Sequence, residues 1–455
     1  MFKALESILL DFRESINNSR VRIISHYDSD GITSAAILAK ALQREDRNFS
    51  ITIVKQLESS FIEQLKKSIC KNRKEMIIFL DLGSASLELL SEIPADIFVF
   101  DHHEIKGSLE NLNQKKLHFI NPHMFNEEVS AAGLVYLFVK LLNPTNKDLA
   151  GLAIIGMVGD MLEQSISKMN NHILKDASDL TIKQGLLIFS AARPLNKALE
   201  FSSDIFIPGV SGSAAGTIDL LRETGIQLLN GRYPNMLELS NEEVSRLITT
   251  IMLRRLHLTK EKEKSIIGNI YLLKFFGRVE DVRELSTLIN ACGRLGYSDI
   301  ALSFCLGSRE AKTKAEEIYT KYKHDLLKAL KWVENNKHTG GKGYLIINAK
   351  DAISDSIIGT TLSIISSSFI YDEGTILMGM AYQGGNKIKV SARIAGRENN
   401  AVNLQKLLDN VVKITGGESG GHAKAAGCIF PRDKEYDFIK EFEKEAEAEQ
   451  IKIKV

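Results

Sequence analysis

Asp101, His102 and His103 stand side by side directly after the short apolar, β-prone run 96–100. A carboxylate and two imidazoles delivered at the end of such a run suit metal ligation or acid–base work. Three other stretches end in the same way. The run 20–26 reads as a strand closing on His26, and Asp28 and Asp30 follow at two-residue spacing before Gly31. The run 76–80 closes on Asp81, with Gly83 and Ser84 behind it, and the apolar stretch 152–159 closes on Asp160. Periodicity leaves that last stretch open between helix and strand. In extended backbone, alternate side chains share a face, so His26, Asp28 and Asp30 can converge on one point. An Asp ahead of a helix is commonly a cap, but two acids and a His in alternation exceed what a cap needs.

His26, Asp28, Asp30, Asp81, His102 and Asp160 offer carboxylates and imidazoles with no thiolate. That donor set suits Mn²⁺ or Mg²⁺, ahead of Zn²⁺ or Fe²⁺. Six donors dominated by Asp are too many for one ion with an open position, and they fit a pair of divalent cations bridged by one Asp. Such a site implies phosphoester hydrolysis by activated water, with no covalent enzyme intermediate. Neither a Walker A segment nor a GxGxxG fingerprint occurs, which removes the basis for nucleotide triphosphatase or dehydrogenase readings.

The elements that position these groups alternate strand and helix to about residue 190, so the expected fold is α/β, a doubly wound parallel sheet. A glycine-rich connection at 206–216 leads into a mostly helical region ending near 265, then a strand-like run 266–276 and the segment 284–296. A charged helix over about 308–335 follows, its Lys and Glu most simply a solvated face. The expected parts are a catalytic domain 1–195, an insertion 196–307 completing the N-terminal lobe, a connector helix 308–338 and a smaller α/β domain 339–455. In that last part Gly420, Gly421 and His422 lie in a glycine-rich stretch, 416–427. It reads either as a turn opening into a helix, with N–H groups turned to an anion, or as a surface hairpin.

Bulk properties bound the possible partners and the setting. The 455 residues exceed one core, and the formal charge of +1 requires any polyanion to find a local basic groove. The four cysteines (Cys70, Cys292, Cys305, Cys428) show no CxxC spacing, which argues for a reduced, cytoplasmic setting. No apolar run is long enough to span a membrane, and the N-terminus lacks a signal-peptide pattern.

The ordered set His-x-Asp-x-Asp-Gly, Leu-Asp-x-Gly, Asp-His-His and Gly-Asp, closed by Gly-Gly-His, resembles the DHH phosphoesterase family, and the C-terminal part is similar to its DHHA1 substrate-binding domain. Within the family the chain looks most like the archaeal RecJ-like proteins related to the replication factor Cdc45. The resemblance implies metal contacts from His26, Asp28, Asp30, Asp81, His102 and Asp160. Asp81 would be the bridge, and His103 would orient a ligand or touch the scissile phosphate. It further implies that Arg393, Gly420, Gly421 and His422 hold substrate, Arg393 with a guanidinium fork suited to phosphate. His26 is the least constant member of the set, since bacterial RecJ has Asp there. The region 200–265 resembles an insertion shared with Cdc45, to which no chemistry attaches. The implied activity is Mn²⁺-dependent exonuclease action on single-stranded DNA or RNA in a cleft between two lobes, releasing mononucleotides in replication, repair or RNA processing. Family grounds lean to 3′→5′ polarity. Two alternatives remain: a phosphodiesterase for oligonucleotides or dinucleotides, and a Cdc45-like replisome scaffold binding a GINS-type partner.

Overall fold

The computed structural model describes residues 1–17, 19–69, 74–105, 116–188, 191–201, 207–255, 267–367, 371–396 and 402–452. Cys70, Phe206, Ile266 and the end of the expected helical stretch before 265 lie outside the described residues. The chain forms two compact units. Met1–Ala198, Gln227–Val244 and Ser265–Tyr319 make the first, and Leu199–Ile226, Ser245–Lys264 and Thr320–Val455 the second.

The first unit opens with α1 (Phe2–Ile16), β1 (Ser19–His26), α2 (Ser29–Arg44), β2 (Phe49–Val54), α3 (Ser59–Ser68) and β3 (Lys74–Leu80). It continues with α4 (Leu87–Ser91), β4 (Asp96–Phe100), β5 (Leu117–Ile120), α5 (Ala131–Leu142), α6 (Ala150–Gly159) and α7 (Lys168–Asp176). The five strands form one parallel sheet in the order β2-β1-β3-β4-β5. Strands β3 and β4 are apolar almost throughout and buried, as parallel strands covered on both faces must be. On one face Ile77, Phe79, Ile97 and Val99 pack with Ile62 and Leu65 of α3 and Leu87 and Leu90 of α4. On the other, Phe98 meets Phe12 of α1 with ring centroids 5.4 Å apart, and Phe100 meets Phe138 of α5 at 4.9 Å. Helices cover both sides, so the sheet is doubly wound. The order places β1 between β2 and β3, and the winding reverses between β1 and β3; crevices at such a switch point lie beyond the carboxyl ends of the strands.

The stretch ending in Asp160 is a helix, α6, buried along most of its length. It packs against α2 and α5, which explains why its apolar residues show no strand-like alternation. The alternation expected to continue to about residue 190 ends differently, since β6 (Leu180–Leu186) does not join the parallel sheet. After α8 (Leu195–Glu200), α9 (Ala214–Glu223) and α10 (Asn241–Arg255), β6 pairs antiparallel with β7 (Ile267–Phe275), and β7 with β8 (Arg278–Asp281). The polar Thr181, Lys183 and Gln184 keep β6 half exposed at the edge of that small sheet, which a doubly covered strand could not tolerate. α11 (Val282–Arg294) and α12 (Ser298–Cys305) follow, and then the 27-residue α13 (Arg309–Asn335).

The second unit contains β9 (Thr339–Gly341), β10 (Tyr344–Lys350), α14 (Asp355–Ser367), β11 (Ile376–Gln383), β12 (Lys387–Ile394), α15 (Leu404–Thr415), β13 (Glu418–His422), β14 (Ala425–Pro431) and α16 (Glu435–Lys452). Its six strands run β13-β14-β12-β11-β10-β9, parallel only between β10 and β11. Met378, Val390, Leu408, Phe430 and Phe438 belong to its core, where Phe430 and Phe438 stack at 4.0 Å. The glycine-rich stretch opens into no helix. Its strands β13 and β14 form a hairpin across the two-residue turn Ala423-Lys424, with β13 at the edge of the sheet and paired on one side. No helix among the described residues is long and apolar enough to cross a membrane.

Phe138 is fully buried between Phe12 and Phe100. Phe138→Ala is expected to cost about 3–5 kcal/mol, read as a lower midpoint in chemical denaturation of the full chain.

Candidate metal centre

The register of the parallel sheet aligns the ends of four strands. Ser25 pairs with Leu80, Leu80 with Phe100, and Phe100 with Ile120. The residue after each member of that row is therefore His26, Asp81, Asp101 and Asn121, all at the carboxyl edge. His26 and Asp81 sit at the switch point itself. Asp81 adopts φ +58° and so leaves the strand direction at once, a left-handed turn that Asp tolerates better than most residues.

His26, Asp28 and Asp30 meet differently from the expected strand alternation. α2 already begins at Ser29, which puts Asp30 in its first turn. Asp28 caps the helix by accepting the Gly31 N–H on Oδ1 at 3.0 Å. Its other oxygen stays with His26, Oδ2 lying 2.9 Å from Nδ1. Asp30 turns to α5, whose Ala131 and Ala132 N–H groups donate to its two oxygens at 2.7 and 3.0 Å. Capping and ligation are thus not rival roles here, because each acid caps a helix while facing the cluster.

Asp81 is where the donors converge. Its Oδ2 lies 3.1 Å from His26 Nδ1, and its Oδ1 lies 3.3 Å from His102 Nε2 and 3.7 Å from His103 Nδ1. Asp160 Oδ2 approaches His102 Nε2 to 3.0 Å, and Asp30 Oδ2 to 3.8 Å. The donor atoms fall into three groups, each within 4.8 Å: His26, Asp28 and Asp81; Asp30, Asp81, His102 and Asp160; Asp81, His102 and His103. Asp81 belongs to all three. Two buried atoms in these groups, Asp81 Oδ1 and His102 Nε2, have no hydrogen-bond partner. Orphaned donor atoms that share a hard-to-borderline ligand set are what a divalent cation would satisfy, so the residues fit such an ion.

The electrostatics follow from burial and crowding. Burial, then the charge of Asp28, pushes Asp81 up to about 6, against the opposing contacts of His102 and His26. Asp30 is raised well above the usual carboxylate range by burial and by Asp160 and Asp81. Burial alone would depress His26 and His102, but the carboxylates around each outweigh it and raise both imidazoles well above their ordinary value. Asp28 goes the other way: the imidazole of His26 overcomes burial and holds it low.

A second layer, only partly legible in the sequence, fixes the first. Asp101 accepts from Ser84 N at 2.7 Å, from the backbone of His102 and His103 at 2.8 and 3.2 Å, and from His103 Nδ1 at 2.7 Å. It therefore shapes the loop and sets the tautomer of His103, whose side chain is 42% exposed. Asn121 donates to His103 O at 2.8 Å and to Ser84 Oγ at 3.0 Å. Asn290 of α11, 261 positions away, accepts the Ser29 N–H at 2.8 Å. α11 comes so close to the ligand loop that a Cβ at Gly293 would sit 1.9 Å from Tyr27 O. Likewise a Cβ at Gly156 of α6 would lie 2.4 Å from Asp30 Oδ1. The segment 284–296 announced a motif but not this contact.

Of the residues expected to hold substrate, Arg393, Gly420, Gly421 and His422 all lie in the second unit. Ala425 pairs with both Arg393 and His422, so the two flank β14 in one row of the sheet. Arg393 Nε donates to Ser363 Oγ at 3.0 Å, while His422 is exposed. A Cβ at Gly420 would meet nothing within 4 Å, and Gly421 takes φ +131°.

Asn290→Ala would strand the buried Ser29 N–H, at about 1–3 kcal/mol, and loosen the loop that carries Asp28 and Asp30. Mn²⁺ affinity by titration calorimetry is expected to fall about 10–100-fold, with the far-UV spectrum unchanged.

Comparison with known proteins places the chain in a family. Residues 20–157 match the DHH family N-terminal domain, 189–267 the DHH-CID domain and 341–448 the DHHA1 domain. An uncharacterised protein of Methanocaldococcus jannaschii is 29% identical over 96% of both chains. The single-stranded-DNA-specific exonuclease RecJ of Bacillus subtilis is 26% identical over 31% of this chain and 19% of its own length. Among solved structures, Cdc45 of Entamoeba histolytica superimposes with a TM-score of 0.71 at 12% identity, covering 98% of this chain and 99% of its own. RecJ of Thermus thermophilus in complex with Mn²⁺ gives 0.60 at 15%, covering 98% of this chain and 55% of its own. With matches to three of the family's domains and a relative along nearly its whole length, the chain belongs to the DHH family.

Proposed function

We propose that this chain is a phosphodiesterase using two divalent cations, Mn²⁺ or Mg²⁺, to trim single-stranded DNA or RNA from an end and release mononucleotides. The observation that carries the reading is the Asp81 carboxylate, common to every donor group and holding a buried oxygen without a partner. The RecJ of T. thermophilus was solved with Mn²⁺, and that of B. subtilis is named a single-stranded-DNA-specific exonuclease, which supports both cation and substrate. His26, Asp28 and Asp81 would hold one ion and Asp30, Asp81, His102 and Asp160 the other. Bound there, the pair would lower the pKa of a water and offset charge on the transferring phosphoryl group.

The chain's own residues supply position. Asp101 keeps the His103 imidazole pointed by its Nδ1 bond, leaving Nε2 for a phosphate oxygen. Asp30 is clamped by the α5 N–H groups and cannot swing when a ligand enters. Arg393 and His422 would take substrate phosphates, and the bare surface at Gly420 lets a strand approach the sheet.

The test is digestion of 5′- and 3′-labelled single-stranded DNA and RNA with Mn²⁺, side by side with a dinucleotide. Laddering of the long strands is expected, with a lean to 3′→5′ release. Asp81→Asn is the informative variant, because Asn accepts the left-handed backbone that Ala would strain; it should abolish turnover with the fold intact. Retained Mn²⁺-dependent turnover in that variant would remove the metal assignment. Preference for the dinucleotide would indicate an oligonucleotide phosphodiesterase. The fold likeness to Cdc45 favours a second reading, a scaffold for a GINS-type partner, and total inactivity with every divalent ion would select it.

A pH dependence follows. Asp81, at about 6, and the raised His26 and His102 hold protons that a cation must displace. Mn²⁺ affinity is therefore expected to fall as pH drops through 6, and to keep rising above 7 as the imidazoles deprotonate. Calorimetry in buffers of different ionisation enthalpy should show net proton release.

A further inference from the structure

The metal centre occupies one end of α2 and of α6, and a separate cavity lies at their other ends. It measures about 260 Å³ and is lined by Lys40 of α2, Gly151 and Leu152 of α6, and Phe275 and Phe276 where β7 turns into β8. Lys40 is ten residues beyond Asp30 in α2, about 15 Å along the helix axis. Nothing in the hydrolytic reading uses this cavity.

Its chemistry is mixed in a specific way. Lys40, Lys147 and Lys274 bring three ammonium groups. Lys147 is engaged by Asp176 at 3.6 Å, but the ammonium groups of Lys40 and Lys274 make no hydrogen bond or ion pair among the described residues. Asp148 on the wall is held by both nitrogens of Arg44, at 2.8 and 2.6 Å, and its charge also acts on Lys40. Asp179 leaves one carboxylate available among the described residues. The remaining wall is aromatic, Phe275 and Phe276 packing edge to face at 4.9 Å and both against Phe304. Phe276 stands at φ +50°, a left-handed conformation that bulky residues seldom take and that Asn or Gly would take at no strain. The ring packs on Phe275 and Phe304 with Lys312 Nζ 5.1 Å from its centroid, and it lines the cavity together with Lys40 and Lys274.

We propose that this cavity binds a nucleoside monophosphate. Its phosphate would sit between Lys40 and Lys274, its base against the phenylalanine wall, and a hydroxyl or exocyclic amine would donate to Asp179. Two free cations alone would suit inorganic phosphate, but a carboxylate and an aromatic wall suit the sugar and base that phosphate lacks. The volume suits one small ligand. The inference stands apart from the nuclease reading, since it requires neither the metals nor turnover.

The test titrates the full-length chain with AMP by calorimetry, with a chelator present so that a metal-bound nucleotide makes no contribution. Binding at up to millimolar AMP is expected. It should weaken at least about tenfold in the double variant Lys40→Glu, Lys274→Glu and in Phe276→Asn, which keeps the turn and removes the ring. It should change less than about twofold in Asp81→Asn. Thermal midpoints of the variants, compared with wild type, exclude unfolding as the cause. No AMP binding, binding indifferent to the lysine variants, or binding lost equally in Asp81→Asn would each overturn the site. Inorganic phosphate or adenosine alone binding as tightly as AMP would overturn the ligand class.

Discussion

A carboxylate buried among other carboxylates governs the first unit. Asp81 is 2% exposed and shares a pocket with Asp28, Asp30 and Asp160, so its negative charge must be met by positive charge at close range. Two unit charges 4 Å apart interact by about 4 kcal/mol even at an effective dielectric of about 20. Four such groups cannot all stay ionised without compensation. Protons supply it in the isolated chain, which is why Asp30, Asp81, His26 and His102 are all displaced upward together. A pair of divalent cations would replace those protons with charge that does not leave at neutral pH. The same crowding that makes the cluster costly in water-free surroundings would favour hard cations.

The sheet exists in the form that makes this crowding achievable. Parallel strands in register end together, and the order β2-β1-β3-β4-β5 opens a crevice between the two strands that carry His26 and Asp81. Helix N-termini then share the work. α2 takes Asp28 as its cap and α5 takes Asp30 through two N–H groups, so helix ends that would otherwise carry orphan donors hold the acids in place. Polar satisfaction of the fold and preorganisation of the cluster are met by the same bonds.

The later part of the first unit belongs to the site as much as the first hundred residues do. Asn290 and Gly293 bring α11 against the Tyr27–Ser29 backbone with no room for a methyl group at position 293. The loop bearing two acids is therefore held from outside the parallel sheet. α2 and α6 extend from the cluster to the cavity at their far ends, so two rigid helices join both places in one packed body.

Residue types alone were enough to single out six side chains that the structure brings together, and to give the α/β class. His, Asp and Gly at strand ends carry local signatures that do not depend on distant contacts. The choice of helix for 150–159 was not available from the sequence, because a run apolar on every side has no period to read, and packing between α2 and α5 decides it. The same is true of β6, whose partner lies more than eighty residues further along the chain. The hairpin of 418–431 depended on pairing to β12, which no glycine count can foresee. Above all, only the tertiary structure shows that Asp81 is common to every donor group and that Asn290 holds the loop. Both facts are distances between residues remote in sequence, and a chain read along its length contains no distances across it.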